Sequence, residues 1–398
     1  MVDYVIIGGG IIGLNIARVL KERKPEASIT LIEKESDVAK HSSGRNSGVL
    51  HAGFYYTANS LKARFTKEGN AALKRFCKER GLAINECAKV VVAQNENELS
   101  GLEELKKRAE ANGVELEWLS EKELQDAYPE AKTYQKALFS PSTATVDPIA
   151  VTKEFRKLVE EMGVTVITDA MYLSHAAKNV LYTSKGMIEF KHLINAAGLY
   201  ADRIAKDFGF GEKYVIIPFK GIGDKDKMNL SNLTPNIYPV PNLANPFLGV
   251  HYTLTVKDEA KIGPTSIPAF WRENYQGCKN FDFQELCEVL WYEAKLFATN
   301  AFGFRALAFG EVRKYIKPYF LGLAKKLPHK MNHSGYTSWS TPGIRAQLLD
   351  KKTLELVQDF IIEGDAYSTH VLNAVSPAFT CSMPFAVWVV DHQILKPS

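Results

Sequence analysis

Cysteine is scarce and irregularly placed in this chain of 398 residues. The five cysteines, Cys77, Cys87, Cys278, Cys287 and Cys381, are odd in number and scattered. This argues against a disulfide framework, and no cysteine or histidine pair has metal-ligand spacing, so we predict no metal site. Thiols of this kind are typical of a reducing compartment, and we therefore expect a cytoplasmic protein.

Long hydrophobic runs and basic runs are also missing. No stretch reaches the roughly 20 apolar residues of a membrane-spanning helix, and the N-terminal apolar run lacks the basic leader of a signal peptide. The small positive charge is spread out and forms no long run of basic residues interleaved with aromatic ones, so we expect no nucleic-acid partner. The net charge of +4 is compatible with an anionic substrate or with peripheral contact to the inner face of a membrane.

The overall composition is that of an ordinary globular protein, with 46% hydrophobic and 24% charged residues. No internal repeat or low-complexity tract interrupts it. A chain of this length can bury a large core and is expected to form two domains.

A glycine-rich turn follows a short apolar segment near the start of the chain. Val5 to Ile7 predicts a buried strand, and Gly8, Gly10 and Gly13 follow it with the spacing G-x-G-x-x-G. Gly8 permits a tight turn, Gly10 lets the backbone approach a pyrophosphate, and Gly13 lets a helix pack closely on the sheet. The spacing therefore predicts a dinucleotide-binding turn.

The residues after this turn strengthen the prediction. A helix that begins at Ile11 and Ile12 would direct its N–H groups at the phosphates. A second apolar strand, Ile29 to Ile32, ends in Glu33, whose carboxylate can accept hydrogen bonds from a ribose. This pattern leaves NAD and FAD both open.

A polar loop, HSSGRNSGVLHAGFYY, occupies residues 41–56. Such a loop beyond a nucleotide-binding strand can wrap a phosphate or a flavin ring with its backbone N–H groups, and Arg45 adds charge for a diphosphate. In and beside the loop, the residues expected to contact the cofactor are Lys34, Ser43, Gly44, Arg45, Asn46, Ser47, Gly48 and Val49.

Periodicity predicts the remaining elements. Predicted helices are Leu61 to Arg80, Glu96 to Asn112, Glu121 to Ala127, Pro148 to Met162, Phe283 to Phe302 and a terminal helix after Pro377. Predicted strands are Lys89 to Ala93, Val164 to Ile167, His192 to Ala197, Gly343 to Leu348 and Val357 to Ile362. The strand ending at Ala197 is expected to return to the nucleotide-binding sheet, and Tyr214 to Phe270 to form an inserted antiparallel sheet.

Several segments together resemble the FAD-dependent L-2-hydroxyglutarate dehydrogenase and oxidase family, which has a D-amino-acid-oxidase-like fold. The resemblance covers most of the chain. Its segments are residues 41–56, NAAGLYAD at 195–202, PFLGVHYT at 246–253, IGP at 262–264, GIRAQL at 343–348 and HVLNA at 370–374.

The resemblance implies FAD as the cofactor and an α/β fold. A Rossmann-like FAD-binding domain of the glutathione-reductase and D-amino-acid-oxidase type is expected at 1–85, 140–212 and 335–398. An antiparallel β-sheet substrate (cap) domain is expected at 86–139 and 213–334. Further expected cofactor contacts are Val91, Ala196, Ala197, Gly198, Gly343, Ile344 and Arg345.

The implied reaction oxidises L-2-hydroxyglutarate, or a close 2-hydroxy acid, to the 2-oxo acid by hydride transfer to flavin N5. The protein must supply a base for the hydroxyl proton, and histidine is the usual base at neutral pH. His51 lies in the polar loop. His251 lies on a predicted strand whose one face carries Phe247, Gly249, His251 and Thr253. We expect these two histidines to be catalytic.

A small 2-hydroxy dicarboxylate needs cations. The candidates are Lys220, Arg272 and Arg345, with Tyr56 and Thr253 as neutral donors. For Arg272 a simple surface position is an equal alternative.

Two other functions stay open at this point. One is an amine or amino-acid oxidase of the glycine or sarcosine oxidase type, although the spacing of His51, Tyr55 and Tyr56 favours a hydroxy acid. The other is a flavin-binding protein that has lost turnover, suggested by atypical residues around Ile222 and after Cys381. The electron acceptor, whether oxygen, a quinone or a soluble carrier, is also open.

Overall fold

The computed structural model of the protein describes residues 1–58, 60–176, 179–228, 232–241, 249–329 and 331–395. The predicted strand position of Phe247 lies outside these residues. The chain divides into two compact units. The first comprises Met1–Asn46, Pro148–Pro218 and Arg345–Ser398, and the second comprises Ser47–Asp147 and Phe219–Ile344.

The described residues form helices and strands throughout both units. The helices are α1 (Ile11–Arg23), α2 (Leu61–Glu79), α3 (Leu99–Ala111), α4 (Glu121–Ala127), α5 (Pro148–Glu161), α6 (Ala201–Asp207), α7 (Phe283–Thr299), α8 (Phe304–Val312), α9 (Lys317–Ala324) and α10 (Ala378–Val389). The strands are β1 (Val2–Ile7), β2 (Ile29–Ile32), β3 (Val49–Leu50), β4 (Ile84–Asn85), β5 (Lys89–Val92), β6 (Glu117–Ser120), β7 (Lys136–Ser140), β8 (Ala144–Val146), β9 (Thr165–Ile167), β10 (Tyr172–Ala176), β11 (Val180–Thr183), β12 (Gly186–Asn195), β13 (Tyr214–Gly221), β14 (Asp224–Lys225), β15 (Asn236–Pro239), β16 (Tyr252–Leu254), β17 (Ala260–Ile262), β18 (Ile267–Pro268), β19 (Gly343–Asp350), β20 (Ile361–Gly364) and β21 (Ser368–Asn373).

The first unit is built on a sheet with a parallel centre, in which β21, β12, β1, β2 and β9 lie side by side. Val5 and Ile6 in β1 are completely buried, as expected for parallel strands that are covered on both faces. The long strand β12 continues past this centre and pairs antiparallel with β11. The predicted return of the chain to the nucleotide-binding sheet is confirmed, because Asn195 pairs in register with Ile7.

The apolar C-terminal segment belongs to the core of this first unit. Helix α10 packs against α1, and Phe385 stacks on Phe360 with 4.3 Å between ring centroids. Phe385 is fully buried. Among the described residues, no helix is both long enough and apolar enough to cross a membrane.

The second unit contains a seven-stranded sheet in the order β14-β17-β16-β15-β5-β7-β6. Its pairs are antiparallel except for β15 and β5, which run parallel. The predicted inserted sheet is therefore mixed where β15 meets β5, a strand from an earlier segment of the chain. Strands β13 and β18 of the same predicted segment pair with each other in a separate sheet. Alternate residues of β5 enter two different cores: Val91 packs on one face of the sheet, and Val90 and Val92 pack on the other.

Some element and domain bounds differ from the expected ones. Residues 47–85, 140–147 and 335–344 were expected in the nucleotide-binding domain but group with the second unit, and residues 213–218 group with the first. Strands β3 and β4 both pair with β8, which keeps these segments together in the second unit. Helix α7 ends at Thr299 rather than at Phe302, since Asn300 adopts a left-handed conformation with φ of 49°. The last predicted strand begins later, at Ile361.

Candidate active site

The carboxyl ends of three parallel strands meet in the first unit. Gly8 follows β1 and donates its N–H to the Ile32 carbonyl at 2.8 Å, while Ala196 after β12 donates to the Ile7 carbonyl at 2.9 Å. A Cβ on Gly8, which has φ of 110°, would lie 2.5 Å from the Ala196 oxygen. Glycine is therefore required at this position, where open α/β sheets bind their ligands.

Glu33 organises the same edge of the sheet. One oxygen of its carboxylate accepts a hydrogen bond from Gly9 N at 2.8 Å, and the other accepts one from Glu35 N at 3.0 Å. These bonds hold the carboxylate at the end of β2, the position from which it contacts a ribose in dinucleotide-binding folds.

The start of helix α1 is capped by a residue of the polar loop. Ile11 donates its backbone N–H to the Ser43 hydroxyl at 2.9 Å. A Cβ on Gly13 would lie 2.1 Å from the Gly8 oxygen, whereas one on Gly10 would contact the Ser43 hydroxyl at 3.1 Å. The turn is thus tight against its own chain at Gly13 and open towards the phosphate position at Gly10. These features fit the diphosphate of a dinucleotide.

The first part of the polar loop folds back on itself. A Cβ on Gly44 would lie 2.0 Å from the Ala39 oxygen, so the loop needs glycine here. Asn46 donates to the Ser43 carbonyl at 2.9 Å, and Arg45 donates to the Lys40 carbonyl. Hydrogen bonds between neighbouring residues therefore stabilise the conformation of this predicted cofactor loop.

His251 lies on one face of the seven-stranded sheet in the second unit. Tyr252 pairs with Ile237 in the antiparallel β16–β15 pair, which places His251 opposite Tyr238. The two rings stack with centroids 3.9 Å apart. His251 Nδ1 lies 2.6 Å from the Gly249 carbonyl oxygen. The ring is therefore held by both a stack and a hydrogen bond, just before the short strand β16 rather than within it.

His51 follows β3 in the same unit and is also buried. Asn70 of α2 fixes the backbone there, since its amide donates to the carbonyl of Leu50 at 2.9 Å and to that of His51 at 3.3 Å. Burial lowers the pKa of His51 well below its usual value, and the charges of Lys89 and His251 lower it further. The structure thus groups the two predicted histidines with a lysine.

Lys89 is a functional candidate that the sequence motifs did not indicate. It is completely buried, and its ammonium group lies 4.1 Å from the ring centroid of Tyr238. The signal in the sequence is a lysine at the head of the apolar strand Lys89 to Ala93. A charged side chain is almost never fully buried unless it is paired, so a buried lysine in such a run needs an explanation.

The predicted substrate donors fall into different surroundings. Thr253 and Lys220 are buried, and burial lowers the pKa of Lys220. Arg272 is buried rather than on the surface. Its side chain lies 3.4 Å from Glu288 and 3.9 Å from Glu285, so its charge is balanced within the protein. Tyr56 is half-buried, as is Arg345 in β19, and the substrate roles of all five residues stay predictions.

The other predicted cofactor contacts also stay predictions. Lys34 is ion-paired with Glu35 at 2.8 Å, and the Val91 side chain lies in an apolar core of the second unit. Ala197 donates its N–H to the Asn195 side chain at 3.2 Å, which orders the turn after β12. The remaining predicted cofactor contacts, which likewise stay predictions, are Ile12, Ser47, Gly48, Val49, Gly198, Gly343 and Ile344.

Comparison with known proteins identifies the class that this fold and turn define. The family described as FAD dependent oxidoreductase (DAO) matches residues 3–390. The chain therefore belongs to this family of FAD-dependent oxidoreductases, and the predictions of an enzyme with FAD as its cofactor are confirmed.

Individual relatives of this chain carry a more specific name than the family does. The chain is 35% identical to L-2-hydroxyglutarate dehydrogenase of Escherichia coli K12, with 98% of this chain and 93% of the relative covered. It is 36% identical to the protein of that name from Indibacter alkaliphilus, with 99% of each chain covered. The mitochondrial enzyme of that name from Homo sapiens is 33% identical, with 98% and 88% covered. The recognised resemblance is confirmed.

Solved structures show the same fold. L-α-glycerophosphate oxidase from Mycoplasma pneumoniae, solved with FAD bound, matches with a TM-score of 0.74 at 21% identity, covering 100% of this chain and 97% of that one. Glycine oxidase from Geobacillus kaustophilus matches with a TM-score of 0.67 at 16% identity, covering 98% and 94%. The predicted fold class is therefore confirmed.

Proposed function

We propose that this protein oxidises L-2-hydroxyglutarate, or a close 2-hydroxy acid, to the 2-oxo acid. Bound FAD supplies the acceptor for the hydride that leaves C2 of the substrate. The names of the relatives support this proposal. In the chain itself, one observation carries it: two buried histidines, His51 and His251, interact in the second unit, and the buried Thr253 lies two residues after His251.

His251 is suited to be the base for the C2 hydroxyl. A carbonyl oxygen can only accept a hydrogen bond, so the contact with the Gly249 carbonyl at 2.6 Å places the proton on His251 Nδ1. The other ring nitrogen, Nε2, is then the one with a lone pair for the hydroxyl proton. The stack on Tyr238 holds the plane of the imidazole, which limits the orientations that the base can adopt.

His51 takes a different part in the same reaction. Because burial keeps its pKa well below the usual value, it is neutral at pH 7 and a weak proton acceptor. A neutral imidazole can still donate or accept a hydrogen bond, and His51 would position the substrate hydroxyl beside the base. The two histidines differ in environment, which separates their roles.

Anaerobic mixing of the FAD-loaded protein with L-2-hydroxyglutarate tests the proposal. We expect bleaching of the flavin and stoichiometric formation of 2-oxoglutarate, with the D-enantiomer as the control that does not react. Reduction by glycine or sarcosine alone would support the amine-oxidase alternative and overturn the proposal. Failure of every substrate to bleach a fully loaded flavin would support a protein without turnover.

The electron acceptor and the location extend this proposal. Reoxidation of the reduced protein by oxygen, by a quinone analogue and by a soluble carrier would rank the three predicted acceptors. We place the protein in the cytoplasm, with peripheral contact to the inner face of a membrane if the quinone is fastest. Fractionation of cells, followed by detection of the protein in the cytosol and membrane fractions, tests this placement.

A further inference from the structure

The register of the seven-stranded sheet places Lys89 on the same face as the catalytic histidine. Tyr238 pairs with Val91 in the parallel β15–β5 pair, and paired residues point to the same face. Lys89 lies two residues before Val91, so it shares this face. His251 is stacked on Tyr238, which brings Lys89, Tyr238 and His251 together on one surface of the sheet.

Aromatic rings surround the Lys89 ammonium group. Its Nζ lies 4.1 Å from the ring centroid of Tyr238, 5.1 Å from that of Tyr55 and 5.5 Å from that of Phe54. Lys89 is 0% exposed. Within the described part of the chain, neither Lys89 Nζ nor the Tyr55 hydroxyl has a hydrogen-bond partner.

No anionic side chain among the described residues is paired with the Lys89 ammonium group. Aromatic faces attract a cation, but they are weaker hydrogen-bond acceptors than oxygen atoms. A buried ammonium group without an anionic partner therefore destabilises the protein. Burial accordingly lowers the pKa of Lys89 to about 7. Two neighbouring unsatisfied donors, an ammonium and a phenol, match the two oxygens of one carboxylate.

We propose that Lys89 and Tyr55 bind the substrate carboxylate that is remote from the reacting carbon, and so select dicarboxylates over monocarboxylates. This inference rests on the proposed oxidation of a 2-hydroxy acid. The α-carboxylate and the hydroxyl lie with the histidines, and the remote carboxylate is directed into the aromatic surroundings of Lys89. Its negative charge stabilises the protonated amine, which donates to it.

A pair of substrates separates this role from a structural one. L-2-hydroxyvalerate has the same carbon chain as L-2-hydroxyglutarate but carries a methyl group in place of the remote carboxylate. For Lys89→Met we expect kcat/KM with L-2-hydroxyglutarate to fall on the order of tenfold to a hundredfold, while kcat/KM with L-2-hydroxyvalerate stays within about twofold. Equal losses with both substrates, or no loss, would overturn the proposal.

Two further variants provide a second test of the site and a control. Tyr55→Phe removes one hydroxyl without changing the packing, and we expect a smaller loss of the same selectivity. Lys136→Met is the matched control, because Lys136 also lies over an aromatic ring, 4.4 Å from the centroid of Trp118, but is paired with Glu103 at 3.0 Å on the surface. It should leave the selectivity unchanged. A change of selectivity in the control as large as that in Lys89→Met would contradict the assignment.

Glutarate, which has no hydroxyl to oxidise, tests the site without turnover. The titratable groups around Lys89 are His51, Tyr55, Cys87 and Tyr238. Because a bound carboxylate raises the pKa of Lys89 above its value of about 7, binding should take up protons and weaken as the pH rises above 7.

Calorimetry of the FAD-loaded protein with glutarate, in buffers of different ionisation enthalpy, measures this proton uptake. Uptake in the wild type that is abolished in Lys89→Met supports the site, and uptake that persists in the variant overturns it. This readout does not depend on the reaction. If L-2-hydroxyglutarate leaves the flavin oxidised while glutarate still binds through Lys89, the proposed function fails and the carboxylate site stands.

Discussion

Substitutions at two glycines of one turn, Gly10 and Gly13, should affect cofactor binding and folding stability separately. A Cβ at Gly10 would lie 3.1 Å from the hydroxyl of Ser43, whose side chain is flexible and can shift. A Cβ at Gly13 would lie 2.1 Å from the backbone oxygen of Gly8. We therefore expect Gly10→Val to fold but to lose FAD, since its side chain would fill the position of the pyrophosphate, and Gly13→Ala to lose stability.

Two opposing contributions set the loss of stability expected for Gly13→Ala. Overpacking against backbone costs about 1–3 kcal/mol, and a rigid carbonyl favours the upper end of that range. Alanine gains about 1 kcal/mol over glycine as a helix former in α1. The expected net loss for Gly13→Ala is therefore about 2 kcal/mol.

Urea denaturation of the apoproteins, with the flavin content of each purified variant, measures both effects. Gly10→Val should show a midpoint close to that of the wild-type apoprotein and no bound flavin. A normal yellow holoprotein from Gly10→Val would refute the assignment of the glycine turn. A midpoint that falls in Gly10→Val as far as in Gly13→Ala would refute the distinction between the two glycines.

Three further predictions follow from the site and its surroundings. His251→Ala should retain FAD but slow anaerobic flavin reduction on the order of a hundredfold or more, and an unchanged rate in stopped-flow measurements would remove it from the mechanism. Glu33→Gln should weaken FAD binding several-fold in equilibrium titrations, because Gly9 N donates at 2.8 Å to the charged carboxylate; equal affinity would show that the charge is unimportant. Arg272→Met should destabilise the protein by about 3–5 kcal/mol in urea, since it removes the buried guanidinium that lies 3.9 Å from Glu285 and 3.4 Å from Glu288, and a stability equal to that of the wild type would contradict this.

Local patterns predicted the first unit well. The turn from Gly8 to Gly13 and the acid at Glu33 are close in sequence, and each is required by a short-range feature of the backbone or of the strand end. The strand that ends at Asn195 was predicted from its apolar run and its following glycine. Its pairing with β1 agrees with the order of doubly wound sheets, in which the first strand lies beside a strand from a later part of the chain.

Long-range pairing limited the prediction of the second unit. The position of Lys89 beside Tyr238 depends on a parallel pairing between β5 and β15, strands from separate segments of the chain. No local pattern specifies that register. The burial of Arg272 likewise depends on a helix, α7, that supplies Glu285 and Glu288. An exposed position was equally compatible with its sequence.

The most direct test of the central claim is a single-turnover experiment. The FAD-loaded protein is mixed anaerobically with one equivalent of L-2-hydroxyglutarate, and flavin absorbance and 2-oxoglutarate are followed together. We expect the flavin to be bleached as 2-oxoglutarate forms in equal amount. A flavin that stays oxidised in the presence of saturating L-2-hydroxyglutarate would contradict it.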